Sequence, residues 1–329
     1  MDLSQFHSRL FKWFRQHGRV LPWREKNKHQ KKGLKLRDQS IASYFTKTWQ
    51  RDPYRVVISE LMLQQTQVDR VLPKFEEFIK RWPTTAALAK ATLSEVIIAW
   101  QGLGYNRRAR YLHEMAKTIM EKYEGKFPTN EEDLLQLPGI GQYTARAILA
   151  FAHGKDVGVI DTNIQRIFAR TILGCEAFEI SLKKKEFLEL VDASVPKGKG
   201  DPWNQALMDF GALVCAAVTP KCDGCPVSQM CMANQDAIKR GSKNYAEYLT
   251  TQRKTKTKKP FVTKFKDTDR YFRGRIVDKL REGETHMQNL RDHIEKNHGL
   301  TDKVRFGNII EQLMKDKLIV IRASMVSLD

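Results

Sequence analysis

The sequence predicts an all-α protein. Between residues 52 and about 235, apolar residues recur at helical spacing, as in Val56, Leu61 and Val68, and breaks fall at proline and glycine. The alternation of apolar and polar residues that is typical of strands is almost absent there. No apolar run approaches the ~18 residues that a membrane-spanning helix needs.

Changes in composition divide the 329 residues into segments. The helical spacing of apolar residues within 1–24 predicts one amphipathic helix that ends in LPWR. Residues 25–51 hold eight Lys or Arg against two acidic residues, which predicts a basic loop or insertion. A basic, Thr-rich linker at 250–266 precedes three short helical patterns and a closing hairpin. This last region fits a winged-helix module, and a generic helical tail is the alternative.

The formal net charge of +19 indicates a polyanionic partner, since lysine and arginine displace counterions from phosphates. Nucleic acid is the favoured partner, and an anionic membrane surface is the alternative. The N-terminal residues lack a signal-peptide pattern. We therefore expect an intracellular protein, in the cytoplasm with the nucleoid, or in the nucleus of a eukaryote.

Residues 137–145, LPGIGQYTA, end one helical pattern and begin another. Gly139 and Gly141 allow a tight turn and leave backbone amides accessible at a helix N-terminus. A DNA phosphate can bind there without reading sequence. The same turn is also compatible with a purely structural role.

Four of the five cysteines fall within seventeen residues, with the spacing C-x6-C-x2-C-x5-C. In a reducing cell, such a group more often binds metal than forms disulfides. Four thiolates suit a [4Fe–4S] cluster, and tetrahedral zinc is the alternative. The predicted ligands are Cys215, Cys222, Cys225 and Cys231.

Together these features resemble the helix–hairpin–helix DNA glycosylases. The hairpin, the run VIDTN at 159–163 and the cysteine spacing follow one another as in endonuclease III and MutY-type adenine glycosylases. The resemblance covers residues 1–24 and 52 to about 240. It implies a two-lobed helix–hairpin–helix glycosylase fold with an iron–sulfur cluster loop. The implied parts are a cluster domain (1–24 and 155–240), a basic insertion (25–51), a six-helix domain (52–154), a basic linker (241–262) and a winged-helix-like module (263–329).

The resemblance implies two catalytic carboxyl groups. Asp161 would stabilise the cation that develops on the sugar, although an aspartate before a helix is by itself most simply an N-cap. Glu60, in the run VVISELMLQQTQ at 56–67, would protonate the adenine. Helical spacing predicts that Glu60, Gln64 and Gln67 share one helix face.

Further residues match binding positions of the family. Each match implies a contact with the flipped base, the attacking water or the DNA around them. They are Trp23, Arg24 and Gln205 in the base pocket, Tyr143 and Asn163 beside Asp161, Gln64 near the DNA, Gln65 and Tyr105 as wedges in the base stack, and Gly139 and Gly141 on the backbone.

Tyr143 stands where endonuclease III carries a lysine nucleophile, so we expect a monofunctional glycosylase that forms no Schiff base. Thymine–guanine mismatch glycosylases also carry a tyrosine there, so this position does not choose the excised base. The chain after residue 260 is too short for the Nudix-like domain usual in MutY proteins. Asn106 and Thr162 also depart from the usual residues, a second tyrosine and a glycine.

The sequence therefore predicts a monomeric enzyme that removes adenine mispaired with guanine or 8-oxoguanine from double-stranded DNA. A thymine or uracil glycosylase acting opposite guanine is the main alternative. A DNA-binding relative without catalysis is less favoured, because Glu60 and Asp161 are both present.

Overall fold

The structure is a computed structural model that describes residues 2–24, 51–255 and 264–329. Its regular structure is almost entirely helical, as predicted, and none of the described helices is long and apolar enough to cross a membrane. In chain order the helices are α1 (Leu3–His17), α2 (Pro53–Leu63), α3 (Val68–Arg81), α4 (Thr85–Ala89), α5 (Leu93–Ala99), α6 (Arg107–Lys122), α7 (Glu131–Leu135), α8 (Gln142–Phe151), α9 (Thr162–Phe168), α10 (Lys184–Ala193), α11 (Gly200–Leu213), α12 (Met232–Lys239), α13 (Tyr245–Thr255), α14 (Asp269–Leu280), α15 (Met287–His298) and α16 (Lys303–Lys315).

The chain divides into two compact units. The first contains the described residues up to Val56, residues 129–131, and those from Gly141 to the end of α13. The second contains Val57–Pro128, Glu132–Ile140 and the residues from 264 onward. The boundary passes through α2, so Glu60 belongs to the second unit and Asp161 to the first.

The core of the first unit forms where α1 meets α9 and α11. Asp2 caps α1 by accepting a hydrogen bond from the Ser4 N–H at 2.9 Å. The apolar face of α1 is fully buried at Phe6, Leu10 and Phe14, in one cluster with apolar residues of α9 and α11. The helical spacing of these aromatic and aliphatic residues therefore predicts the packing as well as the helix.

The prediction of a single helix over residues 1–24 is wrong at its end. α1 ends at His17, Gly18 is extended, and Pro22–Arg24 forms a separate 3₁₀ turn. The Arg19 N–H donates to the Asp209 carboxylate at 2.7 Å, which draws the chain out of the helix. A distant side chain thus ends the helix.

Residues 245–255 lie within the predicted basic linker and form α13 instead. Tyr245 and Leu249 are buried in a cluster with Ala233 and Ala237 of α12. Burial of two apolar side chains stabilises a helix that the basic composition did not suggest. Residues 256–263 of the linker and 25–50 of the basic insertion lie outside the described residues.

The second unit contains the bundle α3–α6. Phe75, Phe78 and Trp100 are buried there, and the rings of Phe78 and Trp100 meet edge to face with centroids 6.1 Å apart. A capping box begins α5, in which Thr92 and Glu95 accept each other's backbone N–H groups.

The C-terminal residues of the second unit contain α14–α16 and three short strands, β1 (Thr285–His286), β2 (Ile319–Arg322) and β3 (Met325–Leu328). The strands form an antiparallel sheet in the order β1-β3-β2. The three predicted helices and the predicted hairpin are present, and the two-residue strand β1 is an addition that alternation over so short a run could not indicate.

Arginines tie this C-terminal module to α5 and α6 of the same unit. Arg281, the C-cap of α14, donates to the Ile97 carbonyl at 3.2 Å and to the Asn106 side-chain oxygen at 3.0 Å. Arg110 on α6 donates to the Asp316 carbonyl at 2.9 Å. Asn106, a departure from the family pattern, is therefore a contact point for α14.

Candidate active site and DNA-contacting loops

The predicted hairpin between α7 and α8 is a tight turn that requires glycine. Gly139 has φ +75°, and a Cβ there would lie 2.5 Å from the Cβ of Tyr111. The Ile140 N–H donates to the Leu137 carbonyl at 3.1 Å. Gly141 is extended and directly precedes α8, whose first turn contains the half-buried Tyr143. Gly139 thus lies in the turn itself, and Gly141 lies at the N-terminus of the helix that follows it.

Asp161 is the N-cap of α9, and two hydrogen bonds orient its carboxylate. One oxygen accepts from the Ile164 N–H at 2.7 Å and the other from the Asn163 side-chain amide at 2.8 Å. A Cβ on Gly211 would lie 2.6 Å from the Cβ of Asn163, so α11 backs this amide closely. Asp161 is therefore a cap and also a carboxylate held in one orientation.

Arg166, one turn further along α9, connects Asn163 with the cysteine loop. Its guanidinium donates at 2.8 Å to the Asn163 side-chain oxygen, to the Gly211 carbonyl and to the Cys215 carbonyl. Burial lowers the pKa of Arg166, and the neighbouring Cys215 counteracts this shift. One buried cation thus holds the orientation of Asn163 and the start of the cysteine loop.

All four predicted ligand cysteines line one cavity of the first unit. Arg170, in a π-helical turn after α9, donates to the carbonyls of Ala216 and Ala217 at 2.8 and 3.0 Å. Burial raises the pKa of the Cys225 and Cys231 thiols to about 12. Within the described residues, no three His, Cys, Asp or Glu side chains are grouped to hold a single metal ion.

Three buried polar residues recur every fourth position along α11, namely Asp201, Gln205 and Asp209. Gln205 is only 3% exposed and hydrogen-bonds to Asp201. Burial raises the pKa of Asp201 to about 6, although Arg51 lies 2.9 Å from its carboxylate. Arg51, predicted as part of the basic insertion, is thus buried in an ion pair.

Arg24, predicted in the base pocket, forms a two-point ion pair with Asp209, each N–O distance being 2.9 Å. It is 4% exposed, and it also donates to the Arg19 carbonyl at 3.0 Å. Burial raises the pKa of Asp209, but the charges and hydrogen bonds of Arg24 and Arg19 outweigh it and hold the pKa below its usual value. Trp23 is buried beside Arg24 in the chain.

In the second unit, Glu60 is 7% exposed in the last turn of α2, a helix whose residues Val57, Ile58 and Leu61 are also buried. The predicted shared helix face of Glu60, Gln64 and Gln67 is wrong, because α2 ends at Leu63. Residues 64–67 form a turn in which Gln65 has φ +55°. That left-handed conformation is uncommon outside glycine and is not compatible with a continuing helix.

The two predicted wedges, Gln65 and Tyr105, lie together. The Tyr105 hydroxyl donates to the Gln65 side-chain oxygen. Tyr105 also has a left-handed backbone, with φ +47°. Left-handed backbone at non-glycine residues persists where the surrounding contacts hold it, and it is often found at functional sites.

Arg108 holds both wedge turns, which are residues 64–67 and the turn directly before Tyr105. Its buried guanidinium donates to the carbonyls at the end of α2 and in the turn before Tyr105. These acceptors are the backbone oxygens of Leu61, Met62, Gln64, Leu103 and Gly104. Burial lowers the pKa of Arg108 to about 10, so the group stays charged at neutral pH. No local pattern indicates this role, because the carbonyls of Leu61, Met62 and Gln64 belong to a distant part of the chain.

Comparison with known proteins identifies the family. The model of the HhH-GPD superfamily of base excision DNA repair proteins matches residues 58–186. An adenine DNA glycosylase of Mycolicibacterium smegmatis is 34% identical over 311 residues, which span 94% of this chain and 91% of that protein. The chain belongs to the adenine DNA glycosylase family. A match over 94% of the chain includes most of the C-terminal module, which is thus shared with this family member.

Two solved structures are similar to this chain. A thermostable thymine-DNA glycosylase is similar with a TM-score of 0.59 at 28% identity, covering 71% of this chain and 97% of that one. Endonuclease III trapped covalently on DNA has a TM-score of 0.54 at 18% identity, covering 72% of this chain and 99% of that one. The second likeness concerns the fold alone.

We expect Arg108→Met to loosen both wedge turns of this family member. The buried carbonyls of Leu61 and Leu103 would lose a charged donor, which should lower the free energy of unfolding by about 3 kcal/mol. Urea unfolding measures this loss, and binding to a mismatched duplex should weaken more than binding to a paired one. The control is Arg107→Met, because the neighbouring Arg107 is exposed. Equal stability of the two variants would contradict the role of Arg108.

Proposed function

We propose that this chain, a DNA N-glycosylase of the adenine DNA glycosylase family, removes adenine mispaired with guanine or 8-oxoguanine in double-stranded DNA. The observation that carries the proposal is the carboxylate of Asp161, oriented by Asn163 and by the N–H of Ile164. Cleavage of an N-glycosidic bond builds positive charge on the sugar, and a fixed anion stabilises that charge.

Glu60 is our candidate for the general acid. Adenine leaves poorly unless a ring nitrogen is protonated, and Glu60 would supply that proton. Its side chain is only 7% exposed, which suits an acid that acts on a flipped base away from bulk water. A positioned acid of this kind contributes about 10²–10⁴-fold to a rate.

The other predicted residues have supporting roles in this proposal. Gln205 would hydrogen-bond to the flipped base, and Tyr143 would help to position the attacking water. Trp23 would pack in the base pocket, where Arg24 acts through its ion pair with Asp209. The backbone of Gly139 and Gly141 would contact phosphate. Gln64 would lie near the DNA, and Gln65 and Tyr105 would fill the base stack after flipping.

A second candidate is the removal of thymine or uracil opposite guanine. The similar fold of a thermostable thymine-DNA glycosylase at 28% identity favours it, and a tyrosine at position 143 is compatible with either candidate. In either case we propose a monomeric enzyme. We further propose that it is monofunctional, because Tyr143 offers no amine for a Schiff base.

Single-turnover assays on a panel of duplexes separate the two candidates. We expect release of adenine opposite guanine and opposite 8-oxoguanine, and no release of thymine or uracil opposite guanine. Strands should break only after alkali, since the product is an intact abasic site. Release of thymine or uracil without adenine would overturn the proposal in favour of the second candidate.

Two conservative variants test the carboxyl groups. Glu60→Gln removes the transferable proton and should slow adenine release by about 10²–10⁴-fold. Asp161→Asn removes the anion and should slow release by about 10²–10³-fold, while asparagine remains a good N-cap. Asp302→Asn, the same change at the N-cap of α16, serves as the control. Full activity of Glu60→Gln would exclude Glu60 as the acid.

We further propose that the four cysteines hold a [4Fe–4S] cluster. The residues fit this group, because all four thiols line one cavity and Arg170 holds the loop backbone around them. When bound, the cluster would cross-link residues 215–231 through iron–thiolate bonds. Zinc remains the alternative occupant.

The purified protein should be brown and contain about four irons per chain, with matching sulfide. Cys222→Ser should lose the colour and most of the iron. Cys175→Ser should keep both, since Cys175 does not line the cavity. Zinc without iron or sulfide in the wild-type protein would contradict the cluster.

A further inference from the structure

We propose that Arg270, on the first turn of α14, forms with Tyr105 a binding site for the base left unpaired when the adenine opposite it is flipped out. The inference rests on the proposed function and adds a specificity-determining residue from the C-terminal module. All of the residues that carry it belong to the second unit.

The guanidinium of Arg270 stacks on the predicted wedge. Its central carbon lies 3.8 Å from the centroid of the Tyr105 ring and 5.4 Å from that of Phe265. Arg270 is exposed, and Tyr105 is half-buried. A planar cation on an aromatic ring offers a flat surface with hydrogen-bond donors at its edge, to which a nucleobase is complementary.

This pair borders a cleft of about 1130 Å³ between the wedge turns and α14. Pockets for small ligands measure about 300–1,000 Å³, so the cleft has room for a nucleotide. Gln65 lines the same cleft. The unpaired base would therefore enter beside both wedges.

Seven arginines and two aspartates line the cleft, which makes it strongly positive. Both aspartates already have partners, as Asp278 pairs with Arg275 and Arg281 and Asp316 pairs with Arg107 and Arg273. Among the described residues, no carboxylate pairs with Arg270. As a residue of the cleft lining, Arg270 can therefore offer its guanidinium donors to a ligand.

The position of Arg270 is determined by the docking of α14. Arg281, the C-cap at the other end of this helix, donates to the Ile97 carbonyl and the Asn106 side chain. The turn before Tyr105 is held by Arg108, which donates to the carbonyls of Leu103 and Gly104. Because α14 and the turn before Tyr105 are both held by these contacts, the stacked pair is formed before DNA binds.

The chemistry of the site suits a purine with an oxygen at C6. Arginine commonly donates to the O6 edge of guanine, and 8-oxoguanine retains this oxygen. Stacking against Tyr105 would add affinity for any base. We therefore expect the site to hold guanine and 8-oxoguanine, and to contribute nothing when no base stands opposite the adenine.

The experiment uses the full chain and duplexes that contain 2′-fluoro-2′-deoxyadenosine, because an electron-withdrawing fluorine opposes the sugar cation and prevents cleavage. The analogue is placed opposite guanine, 8-oxoguanine or an abasic site. Arg270→Ala should weaken binding about tenfold or more with either base, and about twofold or less with the abasic site.

Two variants control for charge. Arg270→Lys keeps the charge and loses the planar fork, so it should lose the same base-dependent affinity. Arg322→Ala removes an exposed arginine of β2 that does not line the cleft, and it should affect all three duplexes equally. An equal loss by Arg270→Ala on all three duplexes, or full rescue by lysine, would show a phosphate contact and overturn the inference.

Adenine release by the wild-type enzyme, measured in parallel, separates this inference from the proposed function. No release from any duplex would overturn the proposed function and the inference with it. Normal release together with unchanged binding by Arg270→Ala would overturn the inference alone.

Discussion

Buried arginines that donate to backbone carbonyls hold the loops on which the predicted chemistry depends. Arg108 holds the two wedge turns, Arg166 holds Asn163 and the start of the cysteine loop, and Arg170 holds the next two carbonyls of that loop. Carbonyls in irregular turns have no partner from a helix or sheet, and burying them without a donor is costly. A guanidinium offers five donors and can satisfy several carbonyls at once.

This arrangement explains why uncommon backbone conformations persist here. Gln65 and Tyr105 both have positive φ, which destabilises a non-glycine residue. The hydrogen bonds of Arg108 to the carbonyls around them offset that cost. In the proposed function, these two residues would then be ready for insertion before DNA binds, so that less ordering would be needed in the complex.

The same kind of contact joins the C-terminal module to the bundle of the second unit. Arg281 and Arg110 donate to carbonyl oxygens across the contact, and Arg281 also binds Asn106. Asn106, which stands where the family usually has a second tyrosine, is thereby explained as the acceptor for Arg281 at the end of α14. The module places Arg270 on Tyr105 and extends the wedge turn with a second flat group.

Sequence alone determined the helical class, the hairpin, the cysteine loop and the candidate carboxyl groups. These depend on local spacing, on glycines that turn the chain, and on residue types whose chemistry is specific. Tertiary structure alone decided where α1 and α2 end, that residues 245–255 are helical, and that Arg24 and Arg51 are buried in ion pairs. Each of these outcomes depends on a partner distant in the chain, such as Asp209, Arg108 or α12, and no local pattern encodes a distant partner.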